Sequence, residues 1–152
     1  MAGGEDVIVV DGRGQILGRL ASIVAKKLLE GKRVVVLNAQ DIVVSGDPVM
    51  VIQSYKRTVL GVRSHYSHRL RPKRPRSPTR LFKATVRGML PKRNSRGREA
   101  LRRLRVYVGV PREFQGVEAT RFREADASRL SRGYVTLGRI AYELGWRGEV
   151  EG

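Results

Sequence analysis

The stretch VIVVDGRGQILGRLASIVAKKLLEGKRVVVL, residues 7–37, contains two short β-branched runs separated by a helical pattern. Val7–Val10 and Val34–Leu37 are apolar without interruption, which is typical of buried strands. Between them, large apolar side chains recur at helical spacing, at Leu17, Leu20, Val24 and Leu28. A strand, a helix and a second strand within about thirty residues predict a βαβ unit with parallel strands and a right-handed crossover.

Weaker signals of the same kind continue along the chain. Two further apolar runs predict strands at 41–44 and 106–108. Apolar spacing predicts helices at 48–59, 82–89, 95–104 and 137–144. Asp47 and Ser95 are the expected N-caps of the first and third of these helices. Residues 112–131 show no pattern that assigns them to a helix or a strand.

The length and composition exclude several classes of protein. A chain of 152 residues argues for one domain. The absence of cysteine excludes disulfides, cysteine-ligated zinc, iron–sulfur clusters and thiol catalysis. The longest apolar runs have four residues, far below the ~20 needed to cross a bilayer. The acidic N-terminal residues lack the basic start of a targeting peptide, so we expect a soluble cytoplasmic protein.

The positive charge is confined to one part of the chain. The net charge is +17, and the segment Lys56–Arg105 contains eighteen Lys or Arg and a single acid, Glu99. The two flanks together hold equal numbers of acidic and basic residues. Charge confined in this way attracts a polyanion, whereas a surface that serves solubility intersperses both signs. Nucleic acid is therefore the predicted partner, and a membrane is not, because no amphipathic helix presents a wide apolar face beside these charges.

Within this basic segment, residues 63–80 are expected to extend from the folded body. They contain three prolines and seven Lys or Arg, and only Tyr66 and Leu70 are large apolar side chains. Prolines interrupt helices and strands, and like charges repel one another. The segment is therefore predicted to lack regular structure of its own.

Two patterns suggest small ligands, and neither is complete. Gly12, Gly14 and Gly18 follow a strand and open a helix, as in dinucleotide-binding folds, but their spacing is G-x-G-x-x-x-G instead of G-x-G-x-x-G. His65 and His68 could both reach a metal, but no third ligand is apparent. The sequence therefore predicts no enzyme, no catalytic residue, no metal site, no cofactor and no small-molecule substrate.

Five motifs stand in a fixed order along the chain. They are GQILGRLAS at 14–22, GKRVVVLNA at 31–39, SGD at 45–47, VRGMLPK at 86–92 and RLRVYVG at 103–109. In order and spacing they resemble the large-subunit ribosomal protein L-thirteen family. The arginine- and proline-rich run before Arg87 and the later YVTLGRIA at 134–141 resemble its archaeal and eukaryotic branch, and the short chain favours an archaeal source.

The resemblance implies both a fold and a function. The fold would be a three-layer α/β/α domain over residues 1–152, built on a four-stranded parallel sheet, with 63–80 as an rRNA-binding extension. The function would be that of a structural constituent of the large ribosomal subunit, which binds and organises large-subunit rRNA during assembly. Neighbouring large-subunit proteins would be its other partners.

The residues expected to bind rRNA are cations of the basic segment, together with His65 and Tyr66 as stacking groups. They are Arg63, His65, Tyr66, Arg69, Arg71, Lys73, Arg74, Arg76, Arg80, Lys83, Arg87, Lys92, Arg93, Arg96, Arg98, Arg102 and Arg103. Two alternatives stay open. One is an RNA-binding regulator outside the ribosome that uses the same surface, and the more remote one is a nucleotide-binding oxidoreductase, which would require affinity for a nicotinamide cofactor.

Overall fold

The structure is a computed structural model and describes residues 6–59, 75–130 and 133–148. Its strands are β1 (Val7–Asp11), β2 (Arg33–Leu37), β3 (Val43–Ser45), β4 (Leu104–Val106) and β5 (Tyr134–Thr136). Its helices are α1 (Leu17–Leu29), α2 (Pro48–Val59), α3 (Pro78–Met89), α4 (Ser95–Arg102) and α5 (Leu137–Glu143). The stretch 112–131, which the sequence left unassigned, contains short 3₁₀ turns at 112–114, 123–125 and 127–129.

The strands β1, β2 and β4 form a parallel sheet with β2 at its centre. The predicted βαβ unit is confirmed, since β1 and β2 are parallel and α1 connects them. Val34 and Val36 point to the same face of β2 because alternate strand residues do so. Both are fully buried in the main core with side chains of α1, α3 and α4, and these three helices contact one another. The three helices therefore cover one face of the parallel sheet.

The four-stranded parallel sheet implied by the family resemblance is not confirmed. In the described residues the parallel sheet has three strands, and the position beyond β1 is occupied by a single parallel bridge at Thr120. The Asp11 amide donates to the Thr120 carbonyl at 3.0 Å, and the Thr120 amide donates to the Val9 carbonyl at 2.8 Å. The pairing ends there because the chain enters the 3₁₀ turn at 123–125.

The predicted strand at 106–108 lies two residues too late. β4 begins at Leu104, directly after the turn that ends α4, and Leu104 pairs with Val34. Leu104 and Val106 are buried while Arg105 between them is exposed. This alternation is typical of a strand at the edge of a sheet, whereas the prediction relied on uninterrupted apolar residues.

A separate antiparallel pair joins β3 to β5, with Val43 opposite Thr136. The predicted strand at 41–44 is wrong at its start, because Ala39–Asp41 form a 3₁₀ turn and β3 begins at Val43. The predicted helix at 137–144 is confirmed as α5, which follows β5 directly. Leu137 and Ile140 of α5 are fully buried in the main core.

Local signals at the ends of α1 and α2 act as predicted. Gly31 adopts φ +93, and its amide donates to the Leu28 carbonyl at 3.0 Å, which ends α1 in a left-handed cap. The Asp47 carboxylate accepts from the amides of Val49 and Met50 at 3.0 and 3.2 Å, so Asp47 caps α2. Burial of Tyr55 in α2 raises the pKa of its hydroxyl.

Helix α3 begins earlier than the predicted range 82–89. Pro78 is its first residue, and the Ser77 hydroxyl accepts from the Arg80 amide at 3.3 Å. Ser77, Pro78 and Thr79 are buried. The prediction that regular structure is absent throughout 63–80 is therefore wrong at residues 78–80, because a proline at the first helical position starts a helix. Residues 63–74 of the predicted extension lie outside the described residues.

Helix α4 is capped by Asn94, not by the predicted Ser95. The Asn94 side-chain oxygen accepts from the Gly97 amide at 2.9 Å, and Ser95 is the first helical residue. Gly97 is buried against the backbone of the preceding turn. A Cβ atom at Gly97 would lie 1.9 Å from the Pro91 carbonyl oxygen, so α4 can approach this turn only with glycine at that position.

Candidate nucleic-acid interface

The predicted rRNA-binding residues divide between described and undescribed parts of the chain. Those from 76 to 103 are placed by the structure. The following lie outside the described residues: Arg63, His65, Tyr66, Arg69, Arg71, Lys73 and Arg74. The extension at 63–74 therefore stays a prediction.

Helix α3 presents a cationic face opposite its buried face. Arg80, Lys83 and Arg87 are spaced three and four residues apart and so lie on one side of the helix. Arg80 and Arg87 are exposed, and Lys83 is half-buried. Phe82 and Val86 on the other side are fully buried in the main core. Packing against the core thus fixes the direction in which these cations project.

The turn after α3 and helix α4 continue the cationic surface. Lys92 and Arg93 are exposed in the turn, and Arg93 has φ +62, in the left-handed region that few residues other than glycine adopt. Arg96, Arg98 and Arg102 are exposed on α4, and the last two share a face because they are four residues apart. Since α3 and α4 contact each other, these cations belong to adjacent elements.

We refer to the exposed cations of this region as the α3–α4 surface. Its members are Arg80, Arg87, Lys92, Arg93, Arg96, Arg98 and Arg102. Within the described ranges, none of them forms a salt bridge, since the ion pairs found there involve other cations. Their charge is therefore available to an external anion. Arg76 is also exposed, and one of its guanidinium nitrogens lies 3.7 Å from the position of a Cβ at Gly145, after the end of α5.

Arg103 differs from the other predicted residues because its side chain turns into the protein. Its Nη2 donates to the Leu28 carbonyl at 2.6 Å, and its Nε is buried without a hydrogen-bond partner in the described residues. Leu28 lies in the last turn of α1, where a cation is favourable, and its carbonyl also accepts from the Gly31 amide. Arg103 therefore joins the start of β4 to the end of α1.

This geometry predicts that replacing one of two neighbouring arginines destabilises the protein and that replacing the other does not. Replacing Arg103 with glutamine should lower the free energy of unfolding by about 1–2 kcal/mol, because it removes a charged hydrogen bond to a partly buried carbonyl. Replacing the exposed Arg102 with glutamine should leave stability within about 0.5 kcal/mol of the original. Urea denaturation of both variants measures the difference, and equal stabilities would contradict the internal role of Arg103.

A second group of polar residues was not predicted from the sequence. The Arg121 guanidinium donates to the Arg13 carbonyl at 2.6 Å, in the turn between β1 and α1. A Cβ at Gly14 would lie 2.8 Å from this guanidinium, and one at Gly12 would lie 2.7 Å from Ile42. Packing thus accounts for the two glycines that resemble a dinucleotide-binding turn. The spacing of the glycines indicated a tight turn in the sequence, but Arg121 lies within 112–131, which shows no pattern.

Other kinds of site receive no support from the described residues. No group of three or more His, Cys, Asp or Glu side chains in those ranges could hold a metal ion. His65 and His68, the pair considered in the sequence, lie outside them. Every helix in the described parts is too short or too polar to span a bilayer.

Comparison with known proteins agrees with the motif resemblance. A sequence model of the family described as "Ribosomal protein L13" matches residues 5–113. A relative from Aeropyrum pernix, named large ribosomal subunit protein uL13, is 66% identical over 152 residues, covering 99% of this chain and 98% of its own length. A protein of the same name from Archaeoglobus fulgidus is 48% identical, covering 95% of this chain and 92% of its own length.

A third relative of that name, from Saccharolobus solfataricus, is 46% identical, covering 95% of this chain and 96% of its own length. All three relatives are archaeal, as the predicted branch requires. The family match and these nearly full-length alignments together show that the chain belongs to the ribosomal protein L13 family, in its archaeal branch.

Proposed function

We propose that this protein is a structural constituent of the large ribosomal subunit and that it binds large-subunit rRNA through the α3–α4 surface. The relatives carry the name of a large-subunit protein and align over nearly the whole chain. The observation that carries the RNA-binding role is the set of exposed arginines and lysines on α3, α4 and the turn between them, without salt bridges in the described residues.

The proposed role is architectural. Closely packed RNA helices repel one another through their phosphates, and cations held at fixed positions reduce that repulsion. Phe82 and Val86 anchor α3 in the core, so the arginines on the outer face of α3 cannot drift apart as they would on a flexible chain. Contacts of this kind recognise the shape and backbone of RNA more than its sequence.

The finer parts of the proposal rest on the same family membership and on the charge pattern. We infer that residues 63–74 add further rRNA contacts, that neighbouring ribosomal proteins are partners, and that the protein acts in the cytoplasm without enzymatic activity. We also retain as proposals the fourth parallel strand and a second helical layer on the sheet.

Co-sedimentation tests the proposed function directly. A tagged copy of the protein, expressed in a related archaeon, should migrate with large subunits through a sucrose gradient and should remain with them after a high-salt wash. A protein found only at the top of the gradient, bound to other RNAs, would support the regulator outside the ribosome instead. Affinity for a nicotinamide cofactor would support the oxidoreductase.

The salt dependence of binding tests whether phosphate contacts dominate. If about eight cations contact phosphates, the logarithm of the affinity for large-subunit rRNA should fall against the logarithm of the salt concentration with a slope of about −6 to −7. Filter binding at a series of potassium chloride concentrations measures this slope. A slope near about −1 would contradict binding through the basic segment.

A further inference from the structure

A groove of 420 Å³ lies beside the turn between β1 and α1. Its lining residues are Arg13, Gly14, Asp41, Val43, Tyr134 and Thr136. They come from the turn after β1, the turn before β3, and the antiparallel pair, so the groove exists only where three separated segments meet.

Tyr134 gives the groove an aromatic wall. It is 49% exposed at the start of β5. The strand fixes its backbone, since Tyr134 pairs with Ser45 of β3. An exposed ring on a rigid strand is a surface on which an unpaired nucleic-acid base can stack.

Arg13 gives the groove a cationic side, and Arg121 lies next to it. The Arg13 side chain is 67% exposed, and Arg121 is also exposed. The hydrogen bond from Arg121 to the Arg13 carbonyl holds one nitrogen of the guanidinium, which leaves its other donors for a phosphate. The lack of a side chain at Gly14 leaves room for this arrangement.

Asp41 supplies a hydrogen-bond acceptor to the groove. Its Oδ2 accepts from the Gln40 side chain at 3.2 Å and lies 3.8 Å from Arg13 Nε. A carboxylate repels phosphate but accepts hydrogen bonds from a base amino group or a ribose 2′-hydroxyl. The aromatic ring, the guanidinium groups and the carboxylate therefore match the base, the phosphate and the ribose of one nucleotide.

We propose that this groove binds one unpaired nucleotide of the large-subunit rRNA. Its base stacks on Tyr134, its phosphate contacts Arg121 and Arg13, and Asp41 accepts a hydrogen bond from the base or the 2′-hydroxyl. This proposal rests on the proposed function. The α3–α4 surface would contact the RNA backbone, and the groove would add a contact that recognises a base.

The test compares two exposed tyrosines in the full chain. Tyr134→Ala should weaken binding to deproteinised large-subunit rRNA by about 5- to 100-fold, because stacking of one base is lost, while the salt slope stays unchanged. Tyr142→Ala is the matched control, since Tyr142 is 57% exposed on α5 and lies under Arg147 instead of facing the groove. Tyr134→Phe keeps the ring and should retain the original affinity.

A second variant and a chemical footprint complete the test. Arg121→Gln should reduce the magnitude of the salt slope by about 1, because one phosphate contact is lost. Chemical probing of the bound RNA should show one unpaired nucleotide that becomes reactive with Tyr134→Ala and stays protected with Tyr142→Ala.

The outcomes separate this proposal from the one on which it rests. If the original protein binds the rRNA and the two tyrosine variants bind equally well, the groove does not hold a nucleotide and only this proposal is overturned. If the original protein does not bind the rRNA, both proposals are overturned. Free adenosine monophosphate at millimolar concentration should displace the rRNA nucleotide from the groove without any change at the α3–α4 surface. Such displacement would support the proposal that the groove binds a nucleotide.

Discussion

Replacing Gly97 with alanine is expected to lower the free energy of unfolding by about 3 kcal/mol and the melting temperature by about 6–12 °C. The added Cβ would lie 1.9 Å from the Pro91 carbonyl oxygen, a distance that forces the backbone to move. The turn between α3 and α4 cannot yield easily, because Asn94 holds the first turn of α4 through the Gly97 amide. Thermal unfolding followed by circular dichroism measures the effect.

Gly88→Ala is the matched control for this prediction. Gly88 is an exposed residue of α3, and a Cβ there would meet no atom within 4 Å. Alanine should therefore raise the free energy of unfolding by about 0.5–1 kcal/mol, since it favours the helix more than glycine does. If both alanine variants were equally stable, the close approach at Gly97 would not exist in solution.

Neutralising three arginines of the α3–α4 surface is expected to have the largest effect on RNA binding. The triple variant Arg87→Gln, Arg98→Gln and Arg102→Gln should weaken affinity for large-subunit rRNA by about 100- to 1,000-fold at about 0.1 M salt. The magnitude of the salt slope should fall by about 2–3, because fewer counterions are released when fewer phosphates are contacted. Stability should change little, because exposed charges contribute little to folding.

A control with equal loss of charge tests whether position matters. Arg112→Gln, Arg123→Gln and Arg147→Gln remove three exposed arginines outside the α3–α4 surface. This variant should bind within about fivefold of the original, through the long-range effect of net charge alone. Equal losses in both triple variants would show that total charge, and not the α3–α4 surface, determines binding.

Local patterns predicted much of the fold because the forces behind them act within a few residues. The βαβ unit, the start of α2 at Asp47 and the helix α5 all follow from spacing or from capping side chains. The predicted start of α3 is wrong because a proline can either interrupt a helix or occupy its first position. Only the burial of Ser77 and Thr79 shows that Pro78 begins a helix.

Pairing between distant strands could not be predicted in the same way. Nothing near Val43 indicates that β3 pairs with β5 and not with the parallel sheet, since that choice depends on residues in another part of the chain. The Thr120 bridge beside β1 has the same cause. Both depend on tertiary contacts that a local pattern does not contain.

The candidate site could also be predicted only where its residues share a local pattern. The charge confined to one segment indicated the α3–α4 surface, because the cations of a helix face show their spacing in the sequence. Arg103 belongs to the same charged segment, yet its side chain contacts the Leu28 carbonyl inside the protein. This contact depends on how β4 packs beside α1, which the local sequence does not show. Arg121 and Tyr134 had no shared signal, since they approach Arg13 from separate segments.

The pairing of β3 with β5 has a consequence for synthesis of the chain. Val135, Leu137 and Ile140 are buried in the same core as α1, but a ribosome produces them long after it has produced α1 and β3. Contacts between residues far apart in sequence slow folding because a long loop must close first. A nascent chain that ends before β5 therefore exposes apolar surface and is prone to aggregate, and native packing is completed only once α5 has emerged from the exit tunnel.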